Sequence, residues 1–149
     1  MHPLFEKAAC LTEIVIASAL EVHRDKGPGL IESIYEWCLT KEFDLRGLSY
    51  VSQKDVEIRY KGFVKEESLR FDVLVEGCLL VESKAVDRVL PIHKAQLLSY
   101  MKLLNIPMGL LINFHEMKVT DGIHRLILSG SNKDGSGVIR ADKGEIHLW

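Results

Sequence analysis

The sequence has little of what would place it in a specialised class. It contains three cysteines, Cys10, Cys38 and Cys78, an odd number with no C-x-x-C pair, so neither a disulfide framework nor a cysteine zinc site is indicated. Its six histidines lack the paired spacing of a zinc motif. The chain has no G-x-G-x-x-G and no P-loop, which gives no reason to expect a nucleotide cofactor.

Long apolar runs and a strong charge of one sign are also missing. The longest apolar run falls well short of the roughly 20 residues that span a membrane, and no secretory leader is visible, so we expect a soluble, cytoplasmic protein without membrane contact. With 149 residues, 47% hydrophobic and 27% charged, the chain is typical of one globular domain. Its formal net charge of -2 means that any contact with nucleic acid needs a local basic patch.

The first part of the chain is predicted to be helical. Apolar residues recur at helical spacing from Leu4 to His23, and "DKGPG" at 25 to 29 ends this helix. A second helix is predicted from Leu30 to Arg46, with Gly47 as its C-terminal glycine cap. The residues predicted to face inward on this second helix are Ile31, Ile34, Tyr35 and Cys38.

The middle of the chain changes to the period of two that is typical of strands. Three strands, predicted at 56–60, 69–75 and 79–85, form an antiparallel meander. A helix from Pro91 to about Leu104 and strands near 109–114 and 123–128 follow. We therefore expect one domain over residues 1–128 and a Gly/Ser-rich extension over 129–149 that is either flexible or a small hairpin about 142–144.

Asp72, Glu82 and Lys84 interrupt the strand segments of the most strand-prone stretch, "FDVLVEGCLLVESKA". Glu82 and Lys84 are two apart and therefore share a strand face. A two-residue turn after Val75 would leave Asp72 on the other face. A three-residue loop, or a bulge, would set Asp72 opposite Glu82 with β-carbons about 5 Å apart.

Two carboxylates at that separation repel each other, and a divalent cation with oxygen ligands relieves the repulsion. Asp72, Glu82 and the Ser83 carbonyl are the candidate ligands, with Mg²⁺ or Mn²⁺ as the ion. Lys84 could orient a water or stabilise charge on a phosphate, which is the chemistry of metal-assisted phosphodiester hydrolysis. The alternative is that all three are surface charges on the wet face of a sheet.

Two predicted helices carry further polar residues at helical spacing. His93, Gln96 and Tyr100 share one side of the helix after Pro91, away from its apolar face. On the second helix, Glu32 and Glu36 are four apart. The alternative for Gln96 and Tyr100 is that they border the core and find routine partners, and the alternative for Glu32 and Glu36 is a solvated helix edge.

Four separated motifs resemble a known family. "GPGLIESIYE" has Gly29, Glu32 and Tyr35 at the named positions of G-x-x-E-x-x-Y, and "RFDVLVEGCLLVESKA", "HKAQLLSYMKLLNIPMGLLINF" and "DGIHRLIL" follow in order. Together they resemble the GxxExxY protein family, a RecB-like branch of the PD-(D/E)XK nuclease superfamily. The resemblance covers roughly residues 8–128; the one departure is Phe71, which stands where the superfamily name has proline.

The resemblance implies a fold and a set of site residues. The fold is α/β (α+β), a restriction-endonuclease-like α-β-β-β-α-β core with a mixed central sheet flanked by helices. Asp72, Glu82 and Lys84 would be the D…ExK centre, Gln96 and Tyr100 the Q-x-x-x-Y helix, and Glu32 the acid from the early helix.

We therefore expect a divalent-metal-dependent nuclease that acts on DNA or RNA. Two alternatives stay open from the sequence. One is a catalytically silent module that binds nucleic acid or protein on the same fold, and the other is an interaction protein that pairs with a second copy or another partner.

Overall fold

The computed structural model describes residues 1–132 and 145–146 as three α-helices and a mixed β-sheet. In chain order, the elements are α1 (Phe5–Lys26), α2 (Glu32–Leu45), β1 (Tyr50–Tyr60), β2 (Phe63–Val75), β3 (Leu79–Lys84), α3 (Pro91–Leu104), β4 (Met108–Asn113), a short 3₁₀ turn (Val119–Gly122), β5 (Ile123–Ile127) and β6 (Glu145–Ile146).

The strands lie side by side in the order in which they occur in the chain. The pairs β1–β2, β2–β3 and β4–β5 are antiparallel, whereas β3–β4 and β5–β6 are parallel. The β3–α3–β4 segment is thus a crossover, which brings the carboxyl ends of β3 and β4 to the same edge of the sheet. This mixed sheet flanked by helices confirms the predicted PD-(D/E)XK-type fold class.

Helices cover both faces of the sheet and create two apolar cores. The helices α1 and α2 pack on one face, where Tyr35, Leu39 and Phe43 of α2 are fully buried. Helix α3 packs on the other face through Leu97, Leu98, Met101 and Leu104. A β-carbon at Gly109 would come within 2.7 Å of Met101 Sδ, so glycine at this position of β4 lets α3 approach the sheet closely.

The helix boundaries agree with prediction, but the inward face of α2 does not. Gly47 has φ +72° directly after the last turn, which confirms its role as the C-terminal glycine. The prediction that Ile31 and Ile34 face inward is wrong, since they are 67% and 37% exposed. Residues 35, 39 and 43 form the buried stripe at a spacing of four instead, and Ile31 precedes the helix in extended conformation.

Much of the predicted C-terminal extension, including the hairpin about 142–144, lies outside the described residues. Ser131 and Asn132 are described, and both are buried. The backbone N–H of His2 donates to the Ser131 carbonyl at 2.9 Å, so the two ends of residues 1–132 meet. No helix in the described part of the chain is long and apolar enough to cross a membrane.

Candidate active site

Asp72 and Glu82 lie on neighbouring antiparallel strands, each one residue beyond the last pair of their ladder, Val73–Val81. The observed β2–β3 pairs all share the index sum of 154, and they are Val73–Val81, Leu74–Leu80 and Val75–Leu79. The connection is therefore the three-residue loop 76–78, the arrangement that extends the register to Asp72 opposite Glu82. The Ser83 N–H donates to Asp72 Oδ2 at 2.8 Å, which holds the aspartate against β3.

A bulge in β2 surrounds Asp72. The β1–β2 register shifts between the pairs Val51–Leu74 and Gln53–Arg70, so Ser52 alone faces three residues, 71–73. The Ser52 hydroxyl donates to the Asp72 carbonyl at 2.8 Å. As a result Phe71 and Asp72, although consecutive, line the same cleft. Bulges commonly redirect a side chain beside a functional site, and this one directs Asp72.

Glu82 and Lys84 form a mostly buried pair on the same face. Lys84 Nζ is 3.8 Å from Glu82 Oε1, and the two side chains are only 15% and 16% exposed. Glu82 Oε2 is buried and has no hydrogen-bond partner among the described residues. Burial raises the pKa of Glu82 to about 7; Lys84 opposes the shift, and the negative charges of Asp72 and Glu32 add to it. The site therefore holds more negative charge than its own lysine balances.

Tyr100 of α3 reaches the same cleft, whereas Gln96 does not line it. Asp72, Glu82 and Tyr100 are joined there by the apolar side chains of Phe71, Leu80, Val81 and Leu97. Gln96, one turn earlier on α3, is exposed. His93 Nδ1 accepts the Leu90 N–H at 3.0 Å, so this histidine caps the start of α3.

Glu32 and Glu36 of α2 interact electrostatically with the centre. Burial raises the pKa of Asp72, and the negative charge of Glu32 acts in the same direction, against the Ser83 N–H and Lys84, which lower it. Burial also raises the pKa of Glu36, with Asp72 and Glu32 adding to the shift. Glu36 was not among the predicted site residues, although its spacing of four from Glu32 was the available signal.

Tyr35 fixes the loop from which α2 starts. Its hydroxyl donates to the Gly27 carbonyl at 2.5 Å and accepts the Leu30 N–H at 3.0 Å. Its ring stacks on Phe114 with a centroid distance of 4.6 Å. Gly29 within this loop has φ +100°, a conformation that strongly favours glycine. In G-x-x-E-x-x-Y, the glycine and the tyrosine thus shape the loop, and the glutamate occupies the first turn of the helix.

Asn113, which the sequence reasoning missed, anchors the segment after Lys84. Its Oδ1 accepts the N–H groups of Val86 and His115, and its Nδ2 donates to the Val86 carbonyl. Asn113 is fully buried and pairs with Lys84 in the β3–β4 register. The available signal was a lone amide at the end of the apolar run "GLLIN".

The donor set of Asp72 and Glu82 fits a divalent cation. Two carboxylates that repel each other, one with a buried oxygen that lacks a partner, offer the hard oxygen ligands that Mg²⁺ or Mn²⁺ prefers. Among residues 1–132 and 145–146, no group of three His, Cys, Asp or Glu side chains could by itself hold a metal ion. Further ligands would therefore be backbone oxygens and water.

Comparison with known proteins agrees with this geometry. No curated protein matches the chain. A solved structure described as "Crystal structure of SSO0001" is 18% identical over 79% of this chain and 77% of that chain, with a TM-score of 0.36, which supports no assignment by itself. A family model of the PD-(D/E)XK nuclease superfamily matches residues 9–126, a span that contains α2, the whole carboxylate centre and α3. The chain therefore belongs to the PD-(D/E)XK nuclease superfamily.

Proposed function

We propose that this protein is a divalent-metal-dependent nuclease that hydrolyses phosphodiester bonds in DNA or RNA. One observation carries the proposal: the Ser83 N–H holds Asp72 against β3 next to Glu82, whose buried Oε2 lacks a partner among the described residues, and the Lys84 ammonium lies 3.8 Å from the other Glu82 oxygen. Superfamily membership supports the same reaction class.

We also propose the finer assignment to the GxxExxY family and the RecB-like branch. It is supported by Gly29, Glu32 and Tyr35, whose spacing coincides with the loop clamp at the start of α2. Gln96 and Tyr100, on one side of α3, support the Q-x-x-x-Y assignment.

Asp72, Glu82 and the Ser83 carbonyl would hold the ion, Mg²⁺ or Mn²⁺. When bound, such an ion polarises a phosphate and lowers the pKa of a coordinated water. The Ser83 N–H keeps the Asp72 carboxylate in place through its Oδ2, and the Ser52 hydroxyl holds the backbone of Asp72 from the opposite strand.

The remaining residues act on the substrate or the water. Lys84, beside Glu82, would stabilise the charge that builds on the phosphate or orient the attacking water. Tyr100 can donate a hydrogen bond from the wall of the cleft, and the exposed Gln96 can contact the nucleic-acid backbone. Glu32 would add negative charge that strengthens cation binding.

The test is cleavage of labelled single- and double-stranded DNA and RNA with Mg²⁺, with Mn²⁺ and with chelator. We expect cleavage that requires the metal and falls by roughly 10²-fold or more in Lys84→Ala. Lys41→Ala is the matched control, because Lys41 is half-exposed on α2, where it pairs with Asp44 and lies over the Trp37 ring, and it should cut like the wild type.

Two outcomes would contradict the proposal. One is that the wild type cuts none of these substrates with either metal, and the other is that Lys84→Ala cuts as well as the wild type. Tight binding of nucleic acid without turnover in the first case would favour the catalytically silent module.

A further inference from the structure

The paired segments 53–60 of β1 and 63–70 of β2, called the arm here, extend beyond the bulge as a two-stranded ribbon. Most residues of the arm are exposed on both strands. Only its base touches a core, since Val56 and Leu69 pack against the apolar cluster of α3. The arm is therefore longer than the fold of the sheet requires.

The two faces of the arm differ in composition. Opposed residues of an antiparallel pair share a face. The face that continues Val56 and Leu69, and thus lies on the α3 side with the catalytic cleft, contains Lys54, Val56, Ile58, Tyr60, Phe63, Lys65, Glu67 and Leu69. The other face contains Gln53, Asp55, Glu57, Arg59, Val64, Glu66, Ser68 and Arg70.

The α3-side face carries fewer acids than the other face and has both aromatic rings, although each face has two cations. It has two lysines against one glutamate, whereas the other face has three acids against two arginines. At the tip, Tyr60 and Phe63 are directly paired and are 66% and 76% exposed. The Lys61 ammonium lies 5.3 Å from the centre of the Tyr60 ring. The tip thus presents two large rings, with the Lys61 ammonium beside one of them, while Lys65 on the same face pairs with Glu67 at 3.1 Å.

We infer that the α3-side face of the arm binds the unpaired bases of a single nucleic-acid strand. Exposed rings stack on bases whose faces are free, and neighbouring cations attract the phosphates. In a duplex the bases already stack on each other and offer no free face to a ring. The inference rests on the proposed nuclease function, for which it names single strands as the substrate class.

The length of the arm is compatible with a single nucleic-acid strand that contacts both the tip of the arm and the cleft. Phe63 is nine residues from Asp72 along β2, which corresponds to about 30 Å in extended strand. A strand whose bases stack on Tyr60 and Phe63 would therefore reach the cleft after several nucleotides, on the same side of the sheet.

The test is a binding measurement in which cleavage plays no part. Fluorescence anisotropy in the presence of chelator would compare a labelled single strand with the same strand annealed to its complement. We expect the wild type to prefer the single strand and the double variant Tyr60→Ala/Phe63→Ala to bind it about tenfold more weakly or worse. Tyr60→Phe should retain binding, because the ring remains.

Val64→Ala is the matched control, since Val64 is 53% exposed at the tip but belongs to the opposite face. It should bind like the wild type, and the thermal midpoints of all variants should agree because these side chains are exposed. Equal binding by the wild type and the double variant, or a preference for duplex, would overturn the inference.

The two proposals fail separately. Single-strand binding that depends on Tyr60 and Phe63, without metal-dependent cleavage, would support the proposed role of the arm and contradict the proposed nuclease activity. Cleavage that depends on Lys84, together with cleavage and binding that are unchanged in Tyr60→Ala/Phe63→Ala, would support the nuclease activity and contradict the proposed role of the arm.

Discussion

Glu82 is the residue in which burial and the proposed function conflict. One of its oxygens is buried without a hydrogen-bond partner among the described residues, and Lys84 is too far from the other, at 3.8 Å, for a short ion pair. Because desolvation dominates, the pKa of Glu82 rises to about 7. The ordinary pKa of this carboxyl is 4.5, so the folded state binds its proton more tightly than the unfolded state does. Without metal, the protein should therefore lose stability as the pH rises from 4.5 through 7.

Glu82→Gln tests this effect at the residue scale. In chelator at pH 8, where the wild-type carboxylate is charged, we expect the variant to be more stable by roughly 1–3 kcal/mol. The difference should vanish below pH 4.5, where both side chains are neutral. Denaturant unfolding at several pH values measures it, with Glu13→Gln, at an exposed position of α1, as the control.

Magnesium should reverse the order, because it would bind the wild-type carboxylate and favour the folded state. A metal-free Glu82→Gln protein that is less stable than the wild type at pH 8 would show that the attraction of Lys84 outweighs burial.

The position of helix α2 depends on the clamp formed by Tyr35. The hydroxyl bridges the Gly27 carbonyl and the Leu30 N–H, so it sets where the helix starts and which way its first turn faces. Glu32 lies in that first turn and acts on both carboxylates of the centre. The tyrosine thus positions an acid that it does not itself touch.

Tyr35→Phe should keep the ring stack on Phe114 and lose both hydrogen bonds. We expect unfolding to cost roughly 1–2 kcal/mol less, because two backbone groups lose their partner. Cleavage should fall further than the unfolded fraction explains, with a higher Mg²⁺ requirement as Glu32 shifts. Tyr60→Phe removes a hydroxyl from an exposed ring and should change neither quantity. Unchanged stability and metal requirement in Tyr35→Phe would refute the clamp.

At the scale of elements, local patterns predicted which helices and strands form, but not the faces they present or the full length of β1 and β2, each of which begins six residues before its predicted start. The helix predicted from Pro91 to about Leu104 is confirmed at those bounds, because its apolar period and its proline are local signals. Apolar and polar residues alternate from Leu69 to Val73, yet Phe71 packs with the α3 cluster and Val73 with the α1 cluster. The switch depends on a register shift against β1 and on Ser52, which lies twenty residues away in sequence, and no period within β2 reveals it.

The sequence likewise predicted part of the site but not all of it. The sequence allowed two loop lengths between β2 and β3, and the structure has the three-residue loop 76–78. Asn113 was not predictable, because its three hydrogen bonds depend on the crossover that sets β4 beside β3.

At the scale of the whole molecule, the contacts of His2 with the segment 129–132 bear on where the domain boundary lies. The predicted boundary after residue 128 remains a prediction, but Ser131 and Asn132 are 5% and 1% exposed, and the Ser131 carbonyl accepts the His2 N–H. These contacts join the start of α1 to the segment after β5.

Two truncations locate the boundary. A chain that ends at Asn132 should be more stable by roughly 1–2 kcal/mol than one that ends at Leu128, which lacks the His2 contact and the burial around it. Denaturant unfolding compares them directly. Both lack residues 145–146, so the loss of β6 cancels, and equal stability would place the boundary at 128.

The bulge at Asp72 also divides β2 into two segments that differ in how firmly the rest of the fold holds them. On its sheet side, β2 is held by β3 and by two helical layers; on its other side, the arm has little beyond its own pairing. The ladder of hydrogen bonds between the two is interrupted at residues 71–73. The arm can therefore bend or fray at low cost while the Ser83 N–H and the Ser52 hydroxyl keep Asp72 in place. A single strand, β2, thus contains both a segment that can bend and the firmly held carboxylate of the candidate site.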